Sequence, residues 1–368
     1  MTQQTCGDPK CLSRQETTDP PKSLPPVMMT ETQVTPKQRF PTFNETAPLS
    51  GILNIDKPAG WTSHDVVAKV RSLLKVKKVG HTGTLDPDAT GVLPICFGKG
   101  TKIIPYWVNV DKSYEAVLRL GLSTDTQDAT GRVLHVCEVP PYISALVAGT
   151  MQQFVGVSMQ IPPMYSAIKV KGVPLYKAAR RGETVERQPR PVTIREIRLH
   201  RIEGNDLFFS TTVSKGTYVR TLCADVGDRL GVGGCLLSLR RTRSGPFQIG
   251  DAIGIEALCE RYAQGGRAWA EVVHPLDVAL RGLPALSVQE RCIEKIRQGA
   301  PVGMDGWVRS DPFHKGDVLR ILAWDGALLA VGVALVDYEA VPMRGGGDLF
   351  KIEAMLMDER VADPVRSQ

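Results

Sequence analysis

Residues 80–91 read Gly-His-Thr-Gly-Thr-Leu-Asp-Pro-Asp-Ala-Thr-Gly and are the most unusual stretch of this 368-residue chain. Glycine, threonine and aspartate at this density favour a loop whose backbone turns tightly and approaches a ligand closely. An aspartate held in such a loop could act as a nucleophile or a base. Judged by turn chemistry alone, however, Asp86 before Pro87 is more typical of an ordinary Asx turn.

Two other motifs overlap this stretch. The first motif is the start of an EF-hand calcium loop, which Asp86, Asp88 and Thr90 match. Position twelve of that loop needs a bidentate glutamate but is Phe97 here, so a calcium site is not supported. The same three residues match the Asp-x-Asp-x-Thr signature of magnesium-dependent phosphatases that use an aspartate nucleophile. That signature closes a buried apolar strand, whereas the polar segment 77–83 precedes it here, so we place the phosphatase hypothesis last.

The elements predicted around this loop mix strands and helices without a regular βαβ repeat. A strand at 51–55 and a turn at 56–60 precede a helix with Ser63 as its N-cap. Further patterns predict strands at 114–120, 192–203, 207–213 and near 236–243, and a helix over 219–230. The sequence therefore predicts an α+β fold on a mixed, largely antiparallel sheet.

The chain divides into three predicted regions. Residues 1–48 contain eight prolines and little periodicity, which predicts a disordered extension. Residues 49–280 form the main predicted domain, and residues 285–360 a small β-rich one.

Within the C-terminal region, local signals predict a helix and a hairpin. Ser287 and Glu290 form a capping-box pattern, and Gly299 would end the helix that it starts. Trp324-Asp325-Gly326 stands between two apolar runs, which is a hairpin signal of the Asp-Gly type.

Positive charge is concentrated in one segment. Ten basic and three acidic side chains fall between Lys169 and Arg201, in a chain whose net charge is +6. This concentration suggests a local contact with a polyanion, although a solvated face is the more common cause of a charge run.

Composition disfavours several other classes of protein. The content of 42% hydrophobic and 23% charged residues is that of an ordinary globular protein. No apolar run approaches the roughly 20 residues of a membrane helix, and no secretory signal is visible, so we expect a cytoplasmic protein.

The eight cysteines form no Cys-x-x-Cys pair, which argues against a zinc site or a disulfide framework. Cys223 falls on an apolar helical stripe, where we expect it to be buried.

From about residue 50 to residue 250 the chain resembles the TruB-type pseudouridine synthases. The similar motifs occur in that family's order: GILNIDKPAGWTS at 51–63, HTGTLDPDATGVLPICFGKGTK at 81–102, DKSYEA at 111–116, TDTQDATG at 124–131, QIPPMYSAIK at 160–169, SKGTYVR at 214–220 and LRR at 239–241. The resemblance implies an enzyme that flips uridine 55 out of the tRNA T loop and isomerises it to pseudouridine. No metal or other cofactor is expected, because the reaction adds and removes nothing.

The resemblance also implies roles for individual residues. Asp86 would be the catalytic carboxylate, which either attacks the sugar carbon or first removes a C2′ proton. A bidentate Arg220 would keep it ionised. Tyr114 would stack on the extruded uracil and assist its final deprotonation, and Leu239 would form an apolar wall.

Further residues are implied to support the site and hold the RNA. His81 would stabilise the vacated T loop, and Lys57, Tyr218 and Asp128 would shape or brace the site. The basic insertion at about 165–195 resembles a mobile thumb that closes on tRNA through phosphate contacts. More weakly, the region 285–360 resembles a PUA-like RNA-binding domain.

Two alternatives from the same fold are open at this point. A guide-RNA-dependent pseudouridine synthase would work inside a ribonucleoprotein, but the thumb-like insertion favours an enzyme that acts alone. An RNA chaperone would remodel tRNA without chemistry, but the presence of Asp86, Tyr114 and Arg220 together argues against binding alone. We therefore expect tRNA as the partner of a monomer that needs no other protein and no membrane.

Overall fold

A ten-stranded mixed sheet organises the larger part of the chain. The computed structural model describes residues 50–107, 110–166, 168–170, 172–340 and 347–357, so the predicted extension 1–48 lies outside the described residues. In chain order the strands up to residue 274 are β1 (Gly51–Lys57), β2 (Val79–His81), β3 (Thr90–Phe97), β4 (Lys112–Leu120), β5 (Leu122–Thr124), β6 (Val133–Val136), β7 (Gly156–Gln160), β8 (Lys169–Val170), β9 (Val173–Pro174), β10 (Arg190–Glu203), β11 (Asp206–Val213), β12 (Gly234–Ser244), β13 (Phe247–Gln248) and β14 (Val273–His274).

Strand pairing in the large sheet is almost entirely antiparallel. The order is β14-β1-β3-β12-β4-β11-β10-β7, with β2 beside β3 and β13 beside β12. Among the paired strands of this sheet, β3 with β12 is the parallel pair. Strands β5–β6 and β8–β9 form separate two-stranded sheets. The predicted α+β fold on a mixed, largely antiparallel sheet is thereby confirmed.

Helices pack against both faces of this sheet. The helices are α1 (Ser63–Leu74), α2 (Ile104–Trp107), α3 (Ile143–Gln152), α4 (Leu175–Arg180), α5 (Val219–Arg229), α6 (Ile255–Gln264), α7 (Gly266–Ala270), α8 (Asp277–Leu280) and, in the C-terminal region, α9 (Ile293–Arg297). Apolar residues of α1, α3 and α5 pack with the inward residues of β1, β3 and β4 in one cluster. Cys223 on α5 is fully buried there, as predicted. The helices α2 and α8 lie on the face opposite α1, α3 and α5.

The start of α1 differs from the prediction by one residue. Thr62, rather than Ser63, is the N-cap, because its Oγ1 accepts a 3.1 Å hydrogen bond from Asp65 N. The Asp65 carboxylate accepts a 2.8 Å bond from Thr62 N in return, which completes a capping box. Ser63 is instead buried and free to bind a second segment of the chain.

Residues 285–355 form a second, six-stranded sheet with its own core. The strands are β15 (Ala285–Val288), β16 (Val302–Gly303), β17 (Trp307–Ser310), β18 (Val318–Ala323), β19 (Leu328–Ala334) and β20 (Asp348–Met355), in the order β16-β20-β19-β18-β15-β17. The hairpin at Asp325-Gly326 joins β18 and β19 as predicted. The predicted helix start at Ser287 is wrong, because Ser287 lies in β15 and pairs with β17 and β18. The helix α9 begins only at Ile293.

The two sheets share apolar packing. A third cluster of buried residues joins Ile52, Val92 and Trp107 to Val331 of the second sheet and to Leu356, which follows its last strand. An ion pair between Arg320 Nη1 and Asp277 Oδ1, 2.8 Å apart, lies beside it. No helix of the described residues is both long enough and apolar enough to cross a membrane.

Candidate active site

The loop between β2 and β3 is anchored on both sides of Asp86. Ser63 Oγ accepts a 2.9 Å hydrogen bond from Leu85 N and donates a 3.2 Å bond to Leu85 O. The Leu85 side chain is buried in the core, and Ala89 N donates to Asp86 O at 3.1 Å. Because its neighbours are fixed in this way, the Asp86 carboxylate projects from a rigid turn.

Arg220, in the first turn of α5, is the direct partner of Asp86. Its side chain is buried, and its Nη2 lies 2.9 Å from Oδ2 and 3.1 Å from Oδ1 of Asp86. The same nitrogen donates to Tyr165 O at 2.9 Å, while Nη1 is directed to Asp128 Oδ2 at 3.5 Å. Arg220 therefore does not bind Asp86 through both terminal nitrogens, as the predicted bidentate pairing requires. Only Nη2 contacts Asp86, because Nη1 is directed to Asp128.

Burial and charge act in opposite directions on Asp86. Burial raises the pKa of the Asp86 carboxyl, and the Arg220 guanidinium beside it opposes that rise. The Asp86 side chain is nevertheless 43% exposed, so a substrate atom can reach it. The arrangement combines a desolvated carboxylate, a cation that favours its charged form, and an open side.

Asp128 is held by its own loop so that one oxygen faces Arg220. Its Oδ1 accepts bonds from Thr130 N at 3.1 Å and from the hydroxyls of Thr130 and Thr126 at 2.7 Å each. These bonds leave Oδ2 for Arg220. The loop at 124–131 thus fixes the guanidinium, which in turn orients Asp86.

Lys57 clamps the end of β1 to the residue that follows Asp86. It is fully buried, and its Nζ donates to the carbonyls of Pro58 (2.8 Å), Trp61 (2.5 Å) and Pro87 (2.8 Å). Burial lowers the pKa of Lys57 to about 8. Since an ammonium has three donors, all of them are used in bracing the backbone.

Tyr114 and Leu239 lie on the inner face of the sheet. Tyr114 is buried on β4, opposite Arg241 of β12, and Leu239 is partly buried opposite Ala116. Because residues two apart on a strand share a face, Leu239 lies beside the tyrosine on the side that carries the helices. Arg241, the cross-strand partner of Tyr114, connects this strand pair to the loop, because its guanidinium binds carbonyls at both ends of the loop.

His81 ends β2, immediately before the loop. Its ring contacts His64 edge to face at a centroid distance of 5.5 Å. Burial lowers the pKa of His81 to about 4, so the imidazole is neutral near pH 7. Its Nδ1 is buried and has no hydrogen-bond partner in the part of the chain that the structure describes.

Tyr218 precedes α5 and ties this helix to β7. Its backbone N–H donates to Gln160 Oε1 at 2.8 Å, and Gln160 Nε2 donates to Tyr218 O at 3.1 Å. The Arg220 guanidinium lies 5.7 Å from the centre of its ring. Burial raises the pKa of the Tyr218 phenol.

Arg241 is a site residue that the sequence analysis missed. It is 1% exposed, and its guanidinium donates to Val92 O at 2.6 Å and to Gly83 O at 3.1 Å, at the two ends of the loop. Gly91 has a φ of +100° and lies so close that a Cβ there would stand 2.2 Å from Arg241 O. A buried position on the predicted strand near 236–243 was the available signal, but a carbonyl-binding arginine has no local sequence pattern.

The structure thus joins Asp86, Arg220 and Asp128 by direct contact. Lys57 reaches the same loop through Pro87, and His81 borders it. Tyr114 and Leu239 connect to it through β12. The arrangement can present a partly exposed, ionised carboxylate to a substrate atom.

Comparison with protein families places most of this chain in one group. The model of the TruB family pseudouridylate synthase (N terminal domain) matches residues 71–219, and that of the tRNA pseudouridylate synthase B C-terminal domain matches residues 220–281. A protein of Geobacter sulfurreducens named tRNA pseudouridine synthase B is 45% identical over 294 residues, which are 78% of this chain and 94% of that protein. One of the same name from Halalkalibacterium halodurans is 42% identical over 318 residues, 85% of this chain and 99% of the relative.

Solved structures of complexes that contain Cbf5 share the fold. A chain of a Cbf5-Nop10-Gar1 complex aligns with a TM-score of 0.69 and 27% identity, covering 88% of this chain and 93% of that one. A chain of the archaeal box H/ACA sRNP Nop10-Cbf5 complex aligns with a TM-score of 0.68 and 26% identity, covering 89% and 94%.

Proposed function

This chain belongs to the TruB family of pseudouridylate synthases, and on that premise we propose that it isomerises uridine 55 in the T loop of tRNA to pseudouridine. It is a tRNA pseudouridine synthase, because relatives that are 41–45% identical over most of the chain are named tRNA pseudouridine synthase B. The observation that carries the proposed chemistry is the Asp86–Arg220 ion pair, which stands at the open side of a braced loop.

Asp86 is the residue that reacts with the sugar. The reaction breaks the bond between uracil N1 and C1′, turns the base, and joins C1′ to C5. A proton leaves C5 and one is gained at N1, so atoms and electrons balance without an added reactant. Asp86 takes part as a carboxylate, and Arg220 supports this state by opposing the rise of its pKa.

The remaining site residues position the flipped nucleotide. Tyr114 offers an aromatic face to the uracil and a phenol near C5, and Leu239 supplies the adjacent apolar wall. His81 is neutral and has an unused ring nitrogen, which suits it to occupy the space that the base vacates. Lys57, Tyr218 and Asp128 hold the backbone and the guanidinium in place.

Two surfaces beyond the site complete the substrate contact. The segment at about 165–195, inserted between paired strands β7 and β10, is the thumb that closes on tRNA phosphates. The sheet of β15–β20 is the PUA-like domain that extends the footprint. The enzyme acts in the cytoplasm as a monomer, without a partner protein.

Pseudouridine mapping at position 55 of an unmodified tRNA transcript tests this function. Wild-type protein and Asp86→Ala are incubated with the transcript in EDTA, with no guide RNA added. We expect pseudouridine at position 55 with the wild type and none with the variant. A folded wild type that binds the transcript but forms no pseudouridine would contradict the proposal and favour a guided synthase or a chaperone.

A further inference from the structure

A second group of cations lies directly upstream of the catalytic loop. Between residues 66 and 85 there are five basic side chains and no acidic one; the five are Lys69, Arg71, Lys75, Lys77 and Lys78, here called the α1 cluster. All five are exposed. None of them belongs to an ion pair among the described residues. Their charge is therefore not neutralised by carboxylates of that part of the chain.

The α1 cluster leads to the site along one face of α1. His64, Arg71 and Lys75 are spaced by seven and four residues, which places them on the same helical face. This face lies against β2, because the His64 ring contacts His81 and Arg71 Nη2 is 3.5 Å from Val79 O. The positive side chains on this face therefore start next to His81 and continue along α1, away from the loop.

The fold carries this cluster and the thumb on well-separated strands of the sheet. The thumb joins β7 to β10 at one edge, whereas α1 and β2 lie beside β3. Five strand spacings separate β3 from β7, about 24 Å in all, which is comparable to the width of an RNA duplex. An RNA arm whose loop reaches Asp86 can therefore meet cations on both sides.

Helix stability alone does not account for the cluster. Cations in the last turn of a helix stabilise its dipole, which would explain Arg71 and Lys75. Lys77 and Lys78 stand beyond the end of α1 at Leu74, and Lys69 lies more than a turn before it. Cations on an exposed surface without acidic partners are available to contact nucleic-acid phosphates.

We propose that the α1 cluster binds backbone phosphates of the tRNA T arm, opposite the contacts made by the thumb. The inference rests on the proposed function, which it extends by a second RNA-binding surface. These contacts add affinity and salt dependence and carry no base specificity.

The test is the salt dependence of binding to a T-arm hairpin. Two triple variants that lose the same charge are compared. The test variant carries Lys75→Gln, Lys77→Gln and Lys78→Gln. The control variant carries Arg261→Gln, Arg267→Gln and Arg281→Gln. Each control arginine already pairs with a carboxylate of this chain. A third protein with arginine at 75, 77 and 78 keeps the charge. Thermal melting confirms that each variant is folded, and dissociation constants are measured at several salt concentrations.

Loss of phosphate contacts has a defined signature. We expect the glutamine variant to bind the hairpin about tenfold more weakly at low salt, with a slope of log Kd against log salt reduced by roughly 2. The arginine variant and the control triple should keep the wild-type slope. An unchanged slope in the glutamine variant would overturn the α1 cluster as an RNA-binding surface. Failure of the wild type to modify the hairpin would instead contradict the proposed function, since binding is measured separately.

Discussion

The chemistry of single residues in this site is set by opposing effects of burial and charge. The loop buries Asp86 enough to raise its pKa, and Arg220 limits that rise from 2.9 Å away. Asp128 holds the second guanidinium nitrogen, so a change at one carboxylate affects the other through Arg220. The ion pair therefore favours the ionised form of Asp86 against the effect of burial.

Replacing Arg220 by methionine should shift the pH dependence of the reaction. Without the guanidinium, the pKa of Asp86 rises further, and the carboxylate is lost at a higher pH. The acidic limb of log kcat/KM against pH should therefore move to higher pH, whereas Arg220→Lys should restore part of the shift. An acidic limb unchanged in Arg220→Met would show that Arg220 does not control the ionisation of Asp86.

His81 should make the folded protein sensitive to acid. Its pKa is about 4 in the folded state, below the ordinary value of 6.5, so between these values the unfolded state binds more protons. The free energy of unfolding should fall as pH is lowered from about 6.5 to 4, by up to about 1.4 kcal/mol per pH unit from this residue.

Urea denaturation between pH 7 and pH 4 measures this effect. His81→Gln should give a shallower dependence on pH than the wild type, and His135→Gln, at an exposed position, controls for the loss of an imidazole. Equal slopes for wild type and His81→Gln would rule out a buried neutral histidine.

At the scale of elements, local sequence patterns predicted the strands and helices that have one buried face. Alternating apolar residues identified β4, β10 and β11, and the helical stripe identified α5, because each pattern reflects one buried face. The strand β3 was not predicted, since Pro94 and a continuous apolar run obscure the alternation. The capping errors at Ser63 and Ser287 have the same origin: each residue has a non-local partner that a four-residue window does not contain.

Gly91 of β3 lies directly against the backbone of β12, and it should not tolerate a side chain. A Cβ there would meet Arg241 O at 2.2 Å, and the φ of +100° disfavours other residues. Gly91→Ala should lower the free energy of unfolding by about 2–4 kcal/mol. Gly250→Ala is the matched control, because its Cβ would meet open space. Equal stability of the two variants in chemical denaturation would contradict this reading of the strand contact.

At the scale of the whole molecule, the two sheets are coupled by a common core. The β-rich character of the C-terminal region was predictable from its hairpin signal. The shared cluster was not, because residues such as Ile52 and Leu356 meet only in the folded chain. The candidate site shows the same limit: its residues were named from motif resemblance, whereas the bracing by Arg241 and Ser63 required three-dimensional contacts.

This coupling predicts that the two sheets unfold together. Leu356→Ala removes a buried side chain from the shared cluster and should cost about 2–5 kcal/mol. Leu335→Ala, at a 37% exposed position, should cost less than about 1 kcal/mol. Hydrogen exchange should show β1 and β19 of Leu356→Ala opening with the same free energy. Exchange in β19 well before β1 would mean that the sheets are independent.

The central claim is that the Asp86 carboxylate performs the isomerisation, and single-turnover kinetics on a T-arm hairpin test it most directly. Asp86→Asn keeps the shape of the side chain and removes its charge, while Asp88→Asn makes the same change at an exposed position two residues away. We predict that Asp86→Asn slows the chemical step by at least roughly 10²–10⁴-fold and that Asp88→Asn stays within a few-fold of the wild type. A near-normal rate for folded, RNA-bound Asp86→Asn would contradict the account.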